Sequence, residues 1–360
     1  MAKSEYWYSN AIIYAIDLET YRDSNGDGIG DFNGIIEKLD YLSDLGINCI
    51  WLLPFFRSPE MDNGYDVEDY FSINPKFGTY DDFIRFRDEC TKRHIHIIMD
   101  LIINHTSSNH PWFKAVSYNK NSKYFSFYIW KPEPPADQKE SVFTGPTWTY
   151  CVTNGEYYYH KYYDFEPELN LKNPAVFATI KEIIGYWIES GISGFRVDAA
   201  TNLFEEFKEE GKDIPGKMME ELNDFLTSKK EDAFFIAEAD VKAEEINDYV
   251  TGGNRMTMMF NFLLNNSIFL AITRKSASPI IDRLKSLPDL PLNVYWVNFI
   301  RNLDELDLDQ LTAEEREEVF NALAPEKRMQ VYNRGIRRRV APLLMGNVRQ
   351  LKMIYNLLFA

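Results

Sequence analysis

Apolar residues recur along this chain in short, nearly continuous runs, and the stretches between them have apolar positions at helical spacing. Apolar runs of this length are typical of parallel strands, which are buried on both faces of a sheet. The stretch from Ile35 to Leu45 illustrates the helical spacing, and Gly46 follows it as a C-terminal glycine. Strand and helix therefore alternate, which predicts a parallel α/β fold. The seven predicted strands are 11–16, 48–54, 95–103, 194–198, 234–239, 256–260 and 294–300.

Residues 104–172 interrupt this alternation. They contain prolines, an Asn-Gly turn and clusters of aromatic residues, but no clear strand-helix pair. We therefore predict a small irregular subdomain inserted after strand three, which divides the chain into 1–103, 104–172 and 173–360. Aromatic side chains of the insertion could stack against sugar rings, or they could simply pack against each other. These residues are Trp130, Trp148, Tyr157, Tyr158 and Tyr159.

Composition narrows the classes of partner. With 45% hydrophobic residues among 360, the chain can bury a large core. Its formal charge of -16 disfavours nucleic acid and anionic membranes, and leaves neutral ligands or cations. The N-terminus has no apolar signal segment, and no apolar run is long enough to span a bilayer, so we expect a cytoplasmic protein. Cys49, Cys90 and Cys151 have no CxxC spacing and are expected to be reduced thiols.

Polar and charged residues stand at the ends of four predicted strands. In parallel α/β barrels, the carboxyl ends of the strands form the active face. A single carboxylate there could merely cap the next helix, but four such strand ends favour a common site. The residues are Asp100, Asn104 and His105 after strand three, Arg196 and Asp198 at strand four, Glu238 at strand five, and Arg301, Asn302 and Asp304 after strand seven.

The loop "RDSNGDGIGDF" at 22–32 has oxygen-bearing side chains at alternate positions, as the first half of an EF-hand calcium loop does. The twelfth position, counted from Asp23, is Gly34 rather than glutamate, and the preceding segment is a predicted strand. An EF-hand, and with it a calcium sensor, is excluded. A glycine-rich turn capped by aspartates, without metal, remains the alternative to a single bound ion.

These strand-end residues, with the segments "SNAIIYAIDLETYRDSNGDGIGDF" and "INHTSSNHPWFK", resemble the α-amylase superfamily (glycoside hydrolase family 13) over essentially the whole chain. Within it, the resemblance is greatest to the trehalose synthases. It implies a (β/α)8 TIM-barrel fold with an insertion after strand three. It also implies interconversion of maltose and trehalose with side hydrolysis, through a covalent glucosyl-enzyme. The implied partners are small α-glucosides: maltose, trehalose and short malto-oligosaccharides.

The resemblance also implies catalytic roles. Asp198 would be the nucleophile, Glu238 the general acid and base, and Asp304 the third carboxylate, which steadies the transition state. Physical chemistry supports the first two roles, because retention requires one ionised and one protonated carboxyl group. Arg196 lies two residues before Asp198 on the same side of the strand, where its charge favours the ionised carboxylate.

The remaining site residues are implied by the resemblance alone. Asp62 and Tyr65 would hold the glucose being cleaved, and His105 and Arg196 would complete the substrate site. A structural calcium ion is implied in the loop described above. Its ligands would be Asp23, Asn25, Asp27, the carbonyl of Ile29, and Asp31.

The chain departs from the family pattern at three positions and at its end. Leu303 replaces a usual histidine, and Phe165 and Asn261 also differ. Loss of a hydrogen-bond donor to a sugar would cost about 1–3 kcal/mol.

The final segment "LKMIYNLLFA" is predicted to be the helix after strand seven, with strand eight and a C-terminal β-sandwich domain absent. Open edges at strands one and seven would favour marginal stability or a homo-oligomer. Two alternatives stay open: a weakened sugar-binding or scaffold protein, and an α-glucosidase or amylase acting on short α-glucans.

Overall fold

The computed structural model describes residues 6–143, 145–205 and 213–359. The chain forms two compact units. The first comprises Met1–Asn202 and Glu221–Phe235, and the second comprises Leu203–Glu220 and Ile236–Ala360. The predicted insertion, 104–172, lies wholly within the first unit.

Parallel strands form the centre of the first unit. They are β1 (Ile13–Ile16), β2 (Cys49–Leu52), β3 (His96–Leu101) and β4 (Gly194–Val197), hydrogen-bonded in that order. In this register Asp100 lies opposite Arg196. The strand β5 (Phe234–Ala237) begins in this unit. A side chain at Gly194 would place its Cβ 2.8 Å from the carbonyl oxygen of Phe234, so this close approach requires glycine.

The second unit continues the parallel arrangement. The end of β5 pairs with β6 (Met258–Phe260), and β6 pairs with β7 (Tyr295–Val297). Each of the seven predicted apolar runs thus contains one of these strands, and each strand is shorter than its run. A separate hydrophobic core in this unit includes Phe269, Leu308, Val319 and Ile336.

The helices begin and end largely where local signals predict. Thr79 and Asp82 form a capping box at the helix Tyr80–Lys92, and a proline occupies the first turn of the helices Pro111–Tyr118 and Pro174–Glu189. The predicted helix at 35–45 is divided into two, and Gly46 follows with a φ of 86°. The α-helices are α1 Leu18–Tyr21, α2 Phe32–Ile36, α3 Leu39–Asp44, α4 Tyr80–Lys92, α5 Pro111–Tyr118, α6 Pro174–Glu189, α7 Ala200–Glu205, α8 Ile214–Lys229, α9 Ile246–Val250, α10 Phe262–Arg274, α11 Ser278–Ser286, α12 Ala313–Leu323, α13 Val340–Leu343 and α14 Val348–Leu358.

Short elements complete the two units. The 3-10 helices are Trp7–Asn10, Pro75–Phe77, Phe125–Phe127, Ala243–Glu245, Thr251–Gly253 and Lys327–Met329. The short strands are Phe56–Arg57 and Asp69–Ile73, which pair with each other, and Leu306–Asp307, Gln330–Val331 and Gly335–Ile336, which form a small sheet. The helix predicted at the end of the chain is observed as α14, Val348–Leu358.

The insertion is more regular than its sequence suggests. Besides α5 it contains a three-stranded antiparallel sheet of Trp130–Lys131, Trp148–Cys151 and Glu156–Tyr159. Trp130 stacks on Phe113 and Phe125, with ring centroids 5.6 and 5.3 Å away. Trp148 and Tyr158 are each 8% exposed. For these three residues, packing within the insertion is the correct explanation.

All three cysteines are free, as predicted, and they are also buried. Among the described residues, no helix combines the length and the apolar character needed to cross a membrane.

Candidate active site

Arg196 and Asp198 lie at the carboxyl end of β4, where the sequence predicts them. The Nη1 atom of Arg196 is 2.6 Å from Oδ1 of Asp198 and 2.5 Å from Oδ1 of Asp100. Asp100, which is fully buried, also accepts a hydrogen bond from Nε1 of Trp51 at 3.1 Å. The guanidinium is therefore fixed between two carboxylates. Its charge favours the ionised form of Asp198, which is 8% exposed.

The backbone at Asp198 is held from β3 and from the loop that follows it. Its N–H donates to the carbonyl of Leu101 at 3.2 Å, and its own carbonyl accepts from Nδ2 of Asn104 at 2.9 Å. Ala199 then adopts a left-handed conformation with a φ of 44°. Such a conformation is unfavourable for alanine and persists where surrounding contacts impose it. The chain therefore turns sharply just after the candidate nucleophile.

His105 lies beside this group and is buried. Its Nε2 is 3.3 Å from the carbonyl oxygen of Tyr65, and its own carbonyl accepts from the hydroxyl of Tyr70. Burial lowers the pKa of His105, so the ring is neutral at pH 7. A neutral ring that donates through Nε2 has an acceptor at Nδ1. In the described part of the chain, that buried Nδ1 has no hydrogen-bond partner.

Asp62 and Tyr65 belong to a loop fixed by Asp66. The fully buried carboxylate of Asp66 accepts from Oγ of Ser58 at 2.7 Å and from two backbone N–H groups of the loop. The Tyr65 ring lies 5.8 Å from the Arg196 guanidinium. The charges of Asp62 and Asp198 both act on His105. The first unit thus brings together five predicted site residues: Asp62, Tyr65, His105, Arg196 and Asp198.

The structure adds Glu166, which sequence reasoning missed. Its side chain is fully buried, and its Oε1 is 3.7 Å from Nε2 of His105. Burial raises the pKa of Glu166 to about 8 and that of Asp62 to about 7. The available signal was an acidic residue within the aromatic segment "YDFEPELN".

Phe165 of the same segment is one of the three departures from the family pattern. Its ring stacks on that of Tyr163, with ring centroids 4.8 Å apart, so this departure belongs to an aromatic stack.

The second unit holds Glu238 directly after β5. Glu238 is partly exposed, and its Oε1 accepts a hydrogen bond from Nδ2 of Asn302 at 3.4 Å. Asp304 is exposed, and its charge acts on Arg301, whose pKa burial lowers to about 10. Glu238 and Asn302 are therefore together in this unit.

Asn261, the third departure, has a structural explanation within the second unit. Its Oδ1 accepts from the N–H of Leu264 at 3.0 Å and caps α10. Its Nδ2 donates to Oδ1 of Asn298 at 3.1 Å. An asparagine suits both contacts, because it can accept and donate through one side chain.

The predicted calcium loop is organised around Asp23, which accepts from the N–H groups of Gly26 and Gly28 at 2.6 and 2.8 Å. The bond from Gly28 is the main cause of the lowered pKa of Asp23. Asp31 caps α2 and binds Ser24. The carboxylate oxygens of the loop keep acceptor capacity beyond these bonds, so its donor chemistry fits a hard cation. The three aspartates of the loop do not, however, form a group whose ligand atoms all lie within 4.8 Å of one another.

Within the described residues such a group occurs elsewhere, in the second unit: Asp240, Asp307 and Asp309. Sequence reasoning did not predict it. Gln310 donates to Asp240 at 2.7 Å, Arg334 lies 3.0 Å from Asp307, and Arg316 lies 2.5 Å from Asp309. Burial raises the pKa of Asp240 to about 8. Since two arginines pair with two of these carboxyl groups and Gln310 donates to the third, the cluster is explained as a polar network of the fold.

Comparison with known proteins places this arrangement in a family. Residues 15–293 match the description "Alpha amylase, catalytic domain", so the chain belongs to the α-amylase family. It is 37% identical to a trehalose synthase from Pimelobacter over 98% of this chain and 64% of the relative. It is 36% identical to a trehalose synthase/amylase from Mycolicibacterium smegmatis over 98% of this chain and 61% of the relative. The chain thus spans about three fifths of the length of these curated relatives.

A solved structure supports the same fold. The α-amylase from H. orenii is 34% identical, with a TM-score of 0.73 over 86% of this chain and 64% of that one. The predicted fold class, a (β/α)8-type barrel represented here by seven parallel strands, is confirmed.

Proposed function

We propose that this chain is a retaining α-glucoside-active enzyme that interconverts maltose and trehalose in the manner of a trehalose synthase. The observation that carries the proposal is the Asp198 carboxylate held by Arg196, with Asp62, Tyr65 and His105 grouped in the same unit. Similarity to trehalose synthases over 98% of the chain supports the choice of substrates.

In the proposed reaction, Asp198 attacks the anomeric carbon of the glucosyl unit as the glycosidic bond breaks. Glu238 gives its proton to the leaving oxygen, so the carboxylate charge moves from Asp198 to Glu238. Glu238 then removes a proton from the attacking hydroxyl, and the ester bond to Asp198 breaks with retention. Attack by a rebound glucose hydroxyl completes isomerisation, whereas attack by water gives hydrolysis. Asp304 is proposed to bind ring hydroxyls and steady the transition state.

The residues around Asp198 have proposed binding roles. Tyr65 supplies an apolar ring face to the sugar, and His105, whose Nε2 lies 3.3 Å from the Tyr65 carbonyl oxygen, is proposed to bind a sugar hydroxyl beside it. Arg196 keeps Asp198 ionised and oriented before attack.

A predominantly hydrolytic α-glucosidase or amylase is the second candidate. Leu303 favours it, because an apolar side chain beside Asp304 cannot hydrogen-bond to a sugar. Weaker retention of the released glucose would give water more access to the covalent intermediate. The non-catalytic sugar-binding form is not favoured, since the carboxyl groups required for chemistry are present.

We also propose that Asp23, Asn25, Asp27, the Ile29 carbonyl and Asp31 hold a structural calcium ion. The oxygen-rich loop supports this proposal. A homo-oligomer and a cytoplasmic location stay predictions from the sequence.

Product analysis tests the proposed function. The purified chain is incubated with maltose, trehalose, sucrose and maltotriose in the presence of calcium, and the products are separated by chromatography. Trehalose formed from maltose, with less free glucose, is the expected result. Glucose alone would favour the hydrolytic candidate, and absence of both products would refute the proposal.

A further inference from the structure

Asp62 and Glu166 form a carboxyl pair within hydrogen-bond reach of one another in the first unit. Oε2 of Glu166 accepts from the N–H of Tyr163 at 3.3 Å. Its Oε1 is buried and has no N–H or O–H donor among the described residues. Two ionised carboxylates cannot hydrogen-bond to each other, because neither has a donor. A single proton shared by the two carboxyl groups would supply the missing donor and remove one of two adjacent negative charges.

The charged and titratable groups around the pair do not replace this proton. Asp66 adds a negative charge and uses its oxygens for the loop. His105 is neutral because burial lowers its pKa. Asp198 adds negative charge, and the guanidinium of Arg196 is bound between Asp198 and Asp100. Of these neighbours, none gives the pair a cation of its own.

We infer that Glu166 is a further substrate-positioning residue, which shares one proton with Asp62 and so fixes the charge and orientation of the Asp62 carboxyl group. The inference rests on the proposed function, in which Asp62 holds the glucose. A carboxyl pair with one proton can accept hydrogen bonds from sugar hydroxyls while its members stay locked together. Loss of the proton leaves two neighbouring negative charges that repel each other, which would displace Asp62.

The direction of the pH dependence follows from burial, which raises the pKa of Asp62 to about 7 and that of Glu166 to about 8. In the unfolded chain both groups ionise near their ordinary pKa of about 4. Between about pH 4 and about pH 8, the folded chain therefore binds more protons at these two carboxyl groups than the unfolded chain does. The pair's contribution to stability therefore falls as pH rises through this window, and affinity for the sugar is expected to fall as the shared proton is lost.

The substitution Glu166→Gln tests this inference, because an amide preserves the shape but cannot share a carboxyl proton. Glu156→Gln is the matched control, since Glu156 lies in the same insertion and pairs with Lys120 at the surface. KM and kcat for maltose are measured from about pH 6 to about pH 9. We expect the KM of the unsubstituted chain to rise by about fivefold or more across this range, and that of Glu166→Gln to stay nearly constant. A Glu166→Gln variant with the original KM profile would overturn the inference.

A second measurement separates this inference from the proposed function. NMR of carboxyl carbons in the folded chain, without substrate, should show a carboxyl pair that titrates near pH 7 to 8. The signal should be lost in Glu166→Gln and kept in Glu156→Gln. If it is present but maltose is not converted, the proposed function fails while the shared proton stands. If it is absent from the unsubstituted chain, the inference fails whatever the activity.

Discussion

The two units hold their candidate catalytic groups in different ways. In the first unit, Asp198 is buried, is bound by Arg196 at 2.6 Å and has its backbone tied to β3. In the second unit, Glu238 is partly exposed, with a longer bond of 3.4 Å from Asn302, and Asp304 is exposed. A nucleophile must be ionised and aimed before the substrate arrives, whereas an acid and base must exchange protons. The difference therefore matches the proposed roles.

The substitution Asp198→Asn should cause the largest loss in this comparison. It removes the nucleophile, and knock-outs of such residues lower kcat by about 10⁴-fold or more. Conversion of maltose is the measurement, and circular dichroism checks that the variant folds. Glu156→Gln serves as the control and should keep full activity. Substantial turnover by Asp198→Asn would contradict the assigned role.

The substitution Glu238→Gln should lower turnover of maltose by about 10²- to 10⁴-fold. Its effect should depend on the leaving group, because only a poor leaving group needs the proton. With 4-nitrophenyl α-glucoside, the first step should stay fast, and a burst of nitrophenol should precede slow turnover. Asp198→Asn should show no such burst. Equal losses on both substrates would argue against an acid role for Glu238.

A paired comparison of Asn104→Ala with Asn302→Ala sharpens the contrast between the units. The Asn104 amide is buried against the carbonyl of Asp198, so its removal should lower the free energy of unfolding by about 1–3 kcal/mol. Asn302 is partly exposed, and its removal should cost less than about 1 kcal/mol. Urea unfolding gives both values. A larger loss of unfolding free energy in Asn302→Ala than in Asn104→Ala would contradict the proposed contrast between the units.

Removal of calcium should lower the stability of the fold without removing a catalytic group. If the loop binds the ion with a hundredfold excess over Kd, chelation should lower the free energy of unfolding by about 2.7 kcal/mol or less. The change is measured as a drop in melting temperature on addition of a chelator, with Asp23→Ala as the variant that should not respond. An equal response from this variant would place the ion elsewhere, with the Asp240, Asp307 and Asp309 cluster the next place to look.

The sequence predicts the site residues around Asp198 in the first unit better than it predicts Glu166 or the sheet of the insertion. Asp198 and Arg196 stand two residues apart on one strand, so their proximity follows from local geometry. Glu166 could not be found in this way, because its importance arises from burial beside Asp62, which is 104 positions away along the chain. The regular sheet of the insertion was missed for a related reason. Its short strands are rich in aromatic residues on both faces, so no apolar alternation identifies them.

The close contact of Gly194 with the carbonyl of Phe234 has a consequence for protein engineering. Any larger residue at this position would push the two backbones apart four residues before Asp198. Libraries that diversify only residues near the sugar would never sample this constraint. Surveys of tolerated substitutions should therefore find a position, remote from substrate, whose replacement abolishes activity while the chemical groups themselves remain intact.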